Sequence, residues 1–346
     1  MTRRPQFGVI GSDAVSEALN GRETEVLDTV RRAYELHDLG ATVNPPSHFL
    51  RFADRPDDRI IALPASIGAP LAVDGIKWIS SFPGNIEAGL PRASAVLILN
   101  DPATGFPYCC MEASLISAAR TAASAALAAI SIAATRGSGD GSVGFVGAGP
   151  IAEHILRYLH ACGYPMSRLG VHDIRPERAD SFAAHAESAY GPAGTTYATV
   201  DELMTAHDLI VFATVAPAPH VSDPAVLAHR PLVLHVSLRD LAPELLLLAQ
   251  NLVDDIDHCL RAETSPHLAE KLTRNRDFVA GTLADVLAGR VVPALDRAVV
   301  FSPFGLGVLD LAVARLVHDR AGATDAVHEI PNFFAAVPTA PAAVSR

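Results

Sequence analysis

The stretch Val143-Gly-Phe-Val-Gly-Ala-Gly-Pro-Ile-Ala152 decides the fold. Its first four residues are typical of a short buried strand, and the pattern Gly-x-Gly-x-x-Ala follows directly. Gly147 permits a tight turn, Gly149 lets the backbone approach a pyrophosphate, and Ala152 allows the next helix to pack closely. The stretch therefore predicts a dinucleotide-binding turn at a helix N-terminus. The alternative, a glycine-rich turn without a ligand, is disfavoured because strand and spacing agree.

A carboxylate after the next predicted strand indicates which dinucleotide binds. The apolar run 169–172 leads into Asp173, 24 residues after Gly149. A carboxylate at this place accepts hydrogen bonds from the ribose hydroxyls of NAD. Arg175 and Arg178 leave NADP as an alternative, since a cation there can hold a 2′-phosphate. We predict that the cofactor is NAD.

Apolar runs and helical patterns alternate between residues 136 and 304, which is typical of a parallel sheet covered by helices. We predict strands at 143–146, 169–172, 209–212 and 232–236, with helices from Ile151 and near Pro176. The region 136–304 is therefore a predicted α/β domain of the Rossmann type, with a doubly wound sheet.

The remainder of the chain predicts a second, α+β domain formed by residues 1–135 and 305–346. An amphipathic helix at 23–39 precedes short strands between residues 44 and 101 that Pro and Gly interrupt. A long Ala-rich helix follows at 112–135, and a late apolar helix at 306–320 returns to this domain.

Composition excludes several classes of protein. The 346 residues are 49% hydrophobic and 19% charged, so the chain is globular. The formal net charge of −11 argues against nucleic-acid and anionic-membrane partners. The basic residues after Met1 have no apolar run behind them, and the apolar stretch 122–134 is shorter than the roughly 20 residues a membrane helix needs. We expect a cytoplasmic protein without a membrane segment.

Metal and thiol chemistry have little support. The four cysteines show no ligand spacing, and the 14 histidines form no HExxH pattern. We interpret the row Asp254-Asp-Ile-Asp-His-Cys259 as structural, because consecutive side chains point in different directions. Cys109 and Cys110 lack a neighbouring base in the sequence, so packing is their expected role. We predict no metal.

Four cations lie in the first predicted domain, at Arg51, Lys77, Arg92 and Arg120. Arg120 lies in the small and apolar segment 115–124, where a guanidinium is costly without an anionic partner. Bidentate capture of a carboxylate is its natural use. Taken singly, Arg51 or Arg92 is better explained as a solvated surface side chain.

Asp240 follows the apolar strand pattern that ends near Val236. Enzymes with parallel sheets place their chemistry at the carboxyl ends of the strands, so Asp240 is a candidate general acid or base. The alternative is that Asp240 caps a helix beginning near Pro243. The local sequence favours neither.

Five segments together resemble the ornithine cyclodeaminase and mu-crystallin family. They are Gly75-Ile-Lys-Trp78, Leu99-Asn-Asp-Pro-Ala-Thr-Gly105, Ile116-Ser-Ala-Ala-Arg-Thr-Ala-Ala123, Gly147-Ala-Gly149 and Phe301-Ser-Pro-Phe-Gly-Leu-Gly-Val-Leu-Asp310. The resemblance implies a first domain that binds substrate and forms a homodimer, and a second domain that binds NAD.

The resemblance also implies roles for single residues. It makes Asp240 and Lys77 catalytic, and it assigns contacts with the substrate carboxylate to Arg51, Lys77 and Arg120. It assigns cofactor contacts to Gly147, Gly149, Pro150, Ile151, Asp173, Thr214, Ser237 and Arg120.

A narrower resemblance is to the N-(2-amino-2-carboxyethyl)-glutamate dehydrogenases, the branch that makes 2,3-diaminopropionate for siderophores and peptide antibiotics. It is carried by segments 77–85, 91–95, 237–244 and 253–259. Cyclodeaminases place a glutamate before a Met-Pro pair to hold a distal ammonium, whereas Ile61-Ala-Leu-Pro64 has no carboxylate. Arg92 stands where they have a neutral residue. With Arg51, Lys77 and Arg120, it suits a substrate with three carboxylates.

This branch implies NAD-dependent oxidative hydrolysis of N-(2-amino-2-carboxyethyl)-L-glutamate to 2-oxoglutarate and L-2,3-diaminopropionate. Hydride would leave the glutamate α-carbon, and Asp240 would deprotonate the water that attacks the resulting imine. Lys77 would polarise the water or carboxylate, and Arg51, Arg92 and Arg120 would orient the anions. The alternatives are an ornithine or lysine cyclodeaminase, a ketimine reductase, and a non-catalytic mu-crystallin-like binder. The presence of Asp240 and Lys77 argues against the binder.

Overall fold

Two sheets organise the chain, one built from its two ends and one from its middle. The computed structural model describes residues 5–335. Residues 1–4, with the basic N-terminus, and residues 336–346 of the predicted first domain lie outside the described residues.

The first sheet is largely an antiparallel meander. Its strands are β1 (Gly8–Ile10), β2 (Thr42–Val43), β3 (His48–Arg51), β4 (Arg59–Ile67), β5 (Val73–Ser81), β6 (Ala93–Asn100), β7 (Pro107–Glu112) and, near the C-terminus, β16 (His328–Glu329). The strand order is β16-β1-β7-β6-β5-β4-β2, and β3 also pairs with β4. Strands β4 to β7 form the meander that the short apolar runs predict.

The second sheet consists of parallel strands. They are β8 (Ser142–Val146), β9 (Arg168–His172), β10 (Gly194–Thr196), β11 (Leu209–Phe212), β12 (Leu232–His235), β13 (Gln250–Val253), β14 (Val279–Thr282) and β15 (Val299–Ser302). The order β10-β9-β8-β11-β12-β15-β13-β14 reverses direction between β8 and β11, where doubly wound folds bind dinucleotides. The predicted Rossmann-type α/β class is confirmed.

Helices cover both sheets. They are α1 (Ser12–Leu19), α2 (Glu23–Asp38), α3 (Ser114–Arg136), α4 (Pro150–Ala161), α5 (Pro176–Tyr190), α6 (Val200–Ala206), α7 (Pro243–Leu246), α8 (Ile256–Cys259), α9 (Ser265–Thr273), α10 (Leu283–Leu287) and α11 (Gly307–Ala323). Helix α11 packs on β4, β5 and α2, so the late helix returns to the first sheet as the sequence predicts.

Helix α3 links the two halves of the molecule. It packs against α2 and α11 of the first half and against α4 of the second. At 23 residues it is longer than the apolar stretch 122–134, and by length and composition it could cross a membrane. However, 67% of its most apolar window is buried inside the protein, which is typical of a core helix. Its many buried alanines allow this close helix packing.

Candidate active site

The glycine turn after β8 has the geometry that a dinucleotide needs. Gly147 has φ +93°, and a Cβ there would lie 2.8 Å from the carbonyl oxygen of Ala213, so this position requires glycine. A Cβ on Gly149, the N-cap of α4, would meet no atom within 4 Å. The space beside Gly149 is therefore open at the start of α4. Pro150 has no N–H group, so the first N–H group that the helix itself does not use belongs to Ile151. These residues fit a bound pyrophosphate.

Asp173 is fixed beside this turn. Its carboxylate accepts hydrogen bonds from the backbone N–H groups of Ala148 at 2.8 Å and Arg175 at 2.9 Å. Each carboxylate oxygen has a second lone pair that can accept from a ribose hydroxyl. Arg175 and Arg178 lie at the start of α5, so cations are also present at this end of the site.

Asp240 lies at the centre of a polar cluster after β12. Thr214 Oγ1 and Ser237 Oγ both donate to its carboxylate. His220 Nε2 lies 3.2 Å from Oδ1, and His235 Nε2 lies 3.3 Å from Oδ2. Burial alone would raise the pKa of Asp240, but hydrogen bonds with His220 and His235 outweigh it and hold that pKa well below its usual range. Thus the two hydroxyls that the resemblance assigns to the cofactor also stabilise the Asp240 anion.

The helix-cap explanation of Asp240 is wrong. Helix α7 has Ala242 as its N-cap, with no side-chain hydrogen bond at the cap. The Asp240 side chain is fully buried within its cluster, whereas the His220 side chain is 39% exposed. His220 therefore connects the buried carboxylate with the solvent side of the cluster.

Lys77, Arg120 and Asp310 form a buried charged triad from β5, α3 and α11. Asp310 Oδ2 lies 2.6 Å from Lys77 Nζ, and Asp310 Oδ1 lies 3.0 Å from Arg120 Nε. Burial lowers the pKa of Lys77 to about 8, although Asp310 opposes this shift. The anionic partner that the sequence predicts for Arg120 is thus Asp310 of the same chain. Because two cations share one carboxylate, the triad carries a net positive charge when Lys77 is protonated.

A glycine makes room for the Arg120 guanidinium. A Cβ on Gly305, which has φ +94°, would lie 2.5 Å from Arg120 Nη1. The same loop is held by Asp254, whose carboxylate accepts from the N–H groups of Phe304 and Gly305. Asp254 therefore has a structural role, in agreement with the interpretation of the row 254–259.

Arg51 and Arg92 lie at one end of the first sheet. Arg51 is exposed at the end of β3, with its guanidinium carbon 5.0 Å from the centre of the Phe49 ring. Arg92 precedes β6, is partly buried, and donates to Ser81 Oγ at 2.7 Å. Across residues 5–335, neither arginine forms an ion pair.

The sequence reasoning missed several groups that the fold brings to these places: His220, His235, Asp310, Arg59 and Arg239. Asp310 had a detectable signal, because a carboxylate in the first turn of an apolar helix invites a partner. The positions of His220 and His235 in the sequence give no such signal. Cys109 is buried and its pKa is raised to about 12, which fits packing. In the described part of the chain, no group of three or more His, Cys, Asp or Glu residues is placed to hold a metal.

Comparisons with known proteins show the family of this chain and relatives with the same fold. An alanine dehydrogenase of Archaeoglobus fulgidus is 29% identical over 308 residues, which cover 86% of this chain and 90% of that protein. An N-((2S)-2-amino-2-carboxyethyl)-L-glutamate dehydrogenase of Staphylococcus aureus is 28% identical over 318 residues, 88% of this chain and 93% of that protein. The structure of an archaeal alanine dehydrogenase dimer with bound NAD matches this chain with a TM-score of 0.83 at 26% identity. The match covers 95% of this chain and 100% of that chain. Since the profile of the ornithine cyclodeaminase/mu-crystallin family matches residues 12–325, the chain belongs to that family.

Proposed function

We propose that this protein oxidatively hydrolyses N-(2-amino-2-carboxyethyl)-L-glutamate to 2-oxoglutarate and L-2,3-diaminopropionate. The observation that carries this proposal is the excess of cations over protein carboxylates at the site. Lys77 and Arg120 share one aspartate, and Arg51 and Arg92 have no ion-pair partner among residues 5–335. A substrate with three carboxylates matches this excess, and the 28% identical Staphylococcus aureus protein bears the name of this activity.

NAD is the cofactor. Gly147, Gly149, Pro150 and Ile151 would hold its pyrophosphate, and Asp173 would accept hydrogen bonds from its ribose hydroxyls. When bound, NAD supplies an acceptor for the hydride at nicotinamide C4. The relative with a TM-score of 0.83 carries NAD.

The triad of Lys77, Arg120 and Asp310 holds the carboxylate next to the reacting carbon. Asp310 fixes both cations, so little rearrangement is needed when a carboxylate arrives. The burial of the triad strengthens its interaction with an anion, because water screens the charges poorly there. Arg51 and Arg92 hold anions farther along the first sheet.

The cluster around Asp240 handles the protons of the hydrolytic half. Loss of a hydride and of the amine proton leaves a C=N bond at the glutamate α-carbon. Water attacks this carbon, and we assign its proton to Nδ1 of His220, because Nε2–H of the same ring donates to buried Asp240, the anionic partner that orients it. The C–N bond then breaks, the nitrogen takes a proton, and 2-oxoglutarate and diaminopropionate leave. Asp240 itself is a weak base, because its pKa lies well below the usual range.

We also propose a cytoplasmic homodimer formed through the outer face of the first sheet, with no nucleic-acid or membrane partner. Trp78 and Val96 are register partners on β5 and β6, and both are exposed although large and apolar. They alternate with the buried residues that face α11, so they lie on the opposite face of the sheet. The archaeal alanine dehydrogenase with bound NAD is a dimer.

The test is a product analysis with a substrate panel. The purified protein is incubated with NAD⁺ and the glutamate adduct, L-ornithine, L-lysine or L-alanine, and NADH and products are measured by absorbance and mass spectrometry. We expect NADH, 2-oxoglutarate and diaminopropionate in equal amounts from the adduct alone. Proline formed from ornithine would instead establish a cyclodeaminase. Cofactor binding without turnover of any substrate would favour the non-catalytic binder.

A further inference from the structure

Three arginines lie together at one end of the first sheet. Arg51 of β3 is the register partner of Arg59 of β4, and Arg59 is the partner of Ser81 of β5. Register partners on antiparallel strands have their side chains on the same face. Arg92 joins this row, because its Nη1 donates to Ser81 Oγ at 2.7 Å.

A fourth arginine, Arg239, follows strand β12 of the second sheet and lies within electrostatic range of this row. Arg239 directly precedes Asp240, and its Nη2 donates to the carbonyl oxygen of Ala262 at 2.7 Å. It is partly buried and lies close enough to Arg59 and Arg51 that, after burial, their charges lower its pKa. The four arginines, named here the arginine cluster, therefore include residues of both halves of the protein and adjoin the Asp240 site.

The arginine cluster lacks paired anions. None of its four members forms an ion pair with a carboxylate within residues 5–335. Asp57 acts on Arg59 only through space, as Asp240 and Glu263 do on Arg239. Several partly buried guanidinium groups repel one another unless an anion lies between them, and carboxylates are the anions that guanidinium groups bind best.

The arginine cluster is separate from the triad of Lys77, Arg120 and Asp310. Leu63 is the register partner of Lys77, whereas Arg59, four residues earlier on β4, is the partner of Ser81. Four residues of strand span about 13 Å. Lys77 and Ser81 are both buried on the same face of β5. A ligand with one carboxylate at Lys77 therefore reaches the cluster only through a second carboxylate several bonds away.

We propose that Arg51, Arg59, Arg92 and Arg239 bind a second, distal carboxylate of the substrate, so that Arg59 and Arg239 select acidic over uncharged side chains. This inference rests on the proposed function, in which the glutamate part of the adduct carries a γ-carboxylate. Arg239 completes the site from the cofactor-binding half, directly beside Asp240. The same site holds the distal carboxylate of the product 2-oxoglutarate.

The test compares binding of two 2-oxo acids by calorimetry. The protein with NADH is titrated with 2-oxoglutarate, which has a distal carboxylate, and with pyruvate, which has none. In Arg59→Met and in Arg239→Met, we expect 2-oxoglutarate to bind about 10- to 100-fold more weakly, with pyruvate binding changed less than about twofold. Arg55→Met is the matched control, because Arg55 lies near Arg59 but is exposed and paired with Asp58.

The outcomes separate this inference from the proposed function. An unchanged preference for 2-oxoglutarate in both variants, with melting curves that show them folded, would overturn the distal site. The conservative Arg59→Lys keeps the charge and should retain part of the preference. If the adduct is not oxidised but 2-oxoglutarate binding still depends on Arg59, the distal site stands and the proposed reaction is wrong. If the adduct is oxidised and binding is independent of Arg59 and Arg239, only the distal site is wrong.

Discussion

In the proposed mechanism, the His220 ring takes the proton of the attacking water and the Asp240 carboxylate orients that ring. Asp240 is buried and anionic, and His220 is the exposed partner in direct contact with it. We expect Asp240→Asn to lower turnover by about 10²- to 10⁴-fold with little change in NAD affinity, because the shape remains while the anion is lost. His220→Gln should lower turnover by about 10²-fold, because the glutamine amide cannot take a proton from the attacking water.

These two variants are measured by steady-state kinetics across pH and by calorimetric titration of NADH. His267→Gln serves as the control, because His267 is also partly exposed but pairs with Glu263 away from Asp240. Near-normal turnover in Asp240→Asn would remove Asp240 from the catalytic residues. Near-normal turnover in His220→Gln would assign the proton of the attacking water to Asp240.

Lys77 makes the triad sensitive to alkaline pH. Its pKa is lowered to about 8, so the free protein loses the Lys77 charge as pH rises through that value. Since the protonated lysine is the form that binds an anion, we expect the affinity for pyruvate to be constant below about pH 7 and to fall as pH rises past 8. Calorimetry at a series of pH values measures this change. In Lys77→Arg, whose cation does not titrate there, the fall should disappear, and its persistence would show that another group causes it.

At the scale of elements, we expect the loop between β9 and α5 to determine the choice between NAD and NADP. Asp173 is fixed against the glycine turn by the Ala148 N–H group, and a 2′-phosphate would bring negative charge next to this carboxylate. We expect NAD to bind at least about tenfold more tightly than NADP, measured by calorimetry. Asp173→Ser removes this negative charge, so it should reduce the difference between the affinities for NAD and NADP. Equal or reversed affinities in the unmodified protein would show that Arg175 or Arg178 holds a phosphate.

Helices and strands with a clear hydrophobic pattern could be predicted from the sequence. Strands that form only because neighbouring strands pair with them could not. Helix α2 and strand β11 follow the predicted segments closely, because their periodicity or apolar run spans the whole element. Strand β1 has three residues and exists because β7 and β16 pair with it on either side. A three-residue segment is too short to show a period, so this strand was missed.

At the scale of the whole molecule, the candidate site also combines residues that a local pattern predicts with residues that only their neighbours define. Family resemblance pointed to Lys77, Arg120 and Asp240, but the charges that control them come from distant parts of the chain. Asp310 lies 233 residues from Lys77 and 190 from Arg120 in sequence. The charges of Arg59 and Arg51 act on Arg239 only because the fold brings the two halves of the chain together. Local sequence can mark Asp310 as a carboxylate in an apolar helix, but only the fold identifies its partners.

A histidine bridge joins the two halves away from the site. Asp255, the N-cap of α8, accepts from His37 Nε2 of α2 at 3.1 Å and from His258 Nδ1 at 2.9 Å. His258 Nε2 lies 3.3 Å from the carbonyl oxygen of Pro45, in the first half of the chain. The bridge therefore fixes the position of the cofactor-binding half relative to α2.

The bridge makes the stability of the protein depend on pH in a direction that can be calculated. The hydrogen bond with Asp255 raises the pKa of His258 above its ordinary value, although burial opposes this. A group whose pKa is higher in the folded state contributes its full stabilisation below the unfolded value, about 6.5 for histidine, and loses it as pH rises through the folded value. The lowered pKa of Asp255 affects stability only at much lower pH. We therefore expect the melting temperature to fall from about pH 6 to pH 8 and this fall to shrink in His258→Asn, measured by calorimetry. His185→Asn leaves the bridge intact, so its melting temperature should fall with pH as in the unmodified protein. If the melting temperature of His258→Asn fell with pH just as steeply, another group would cause the pH dependence.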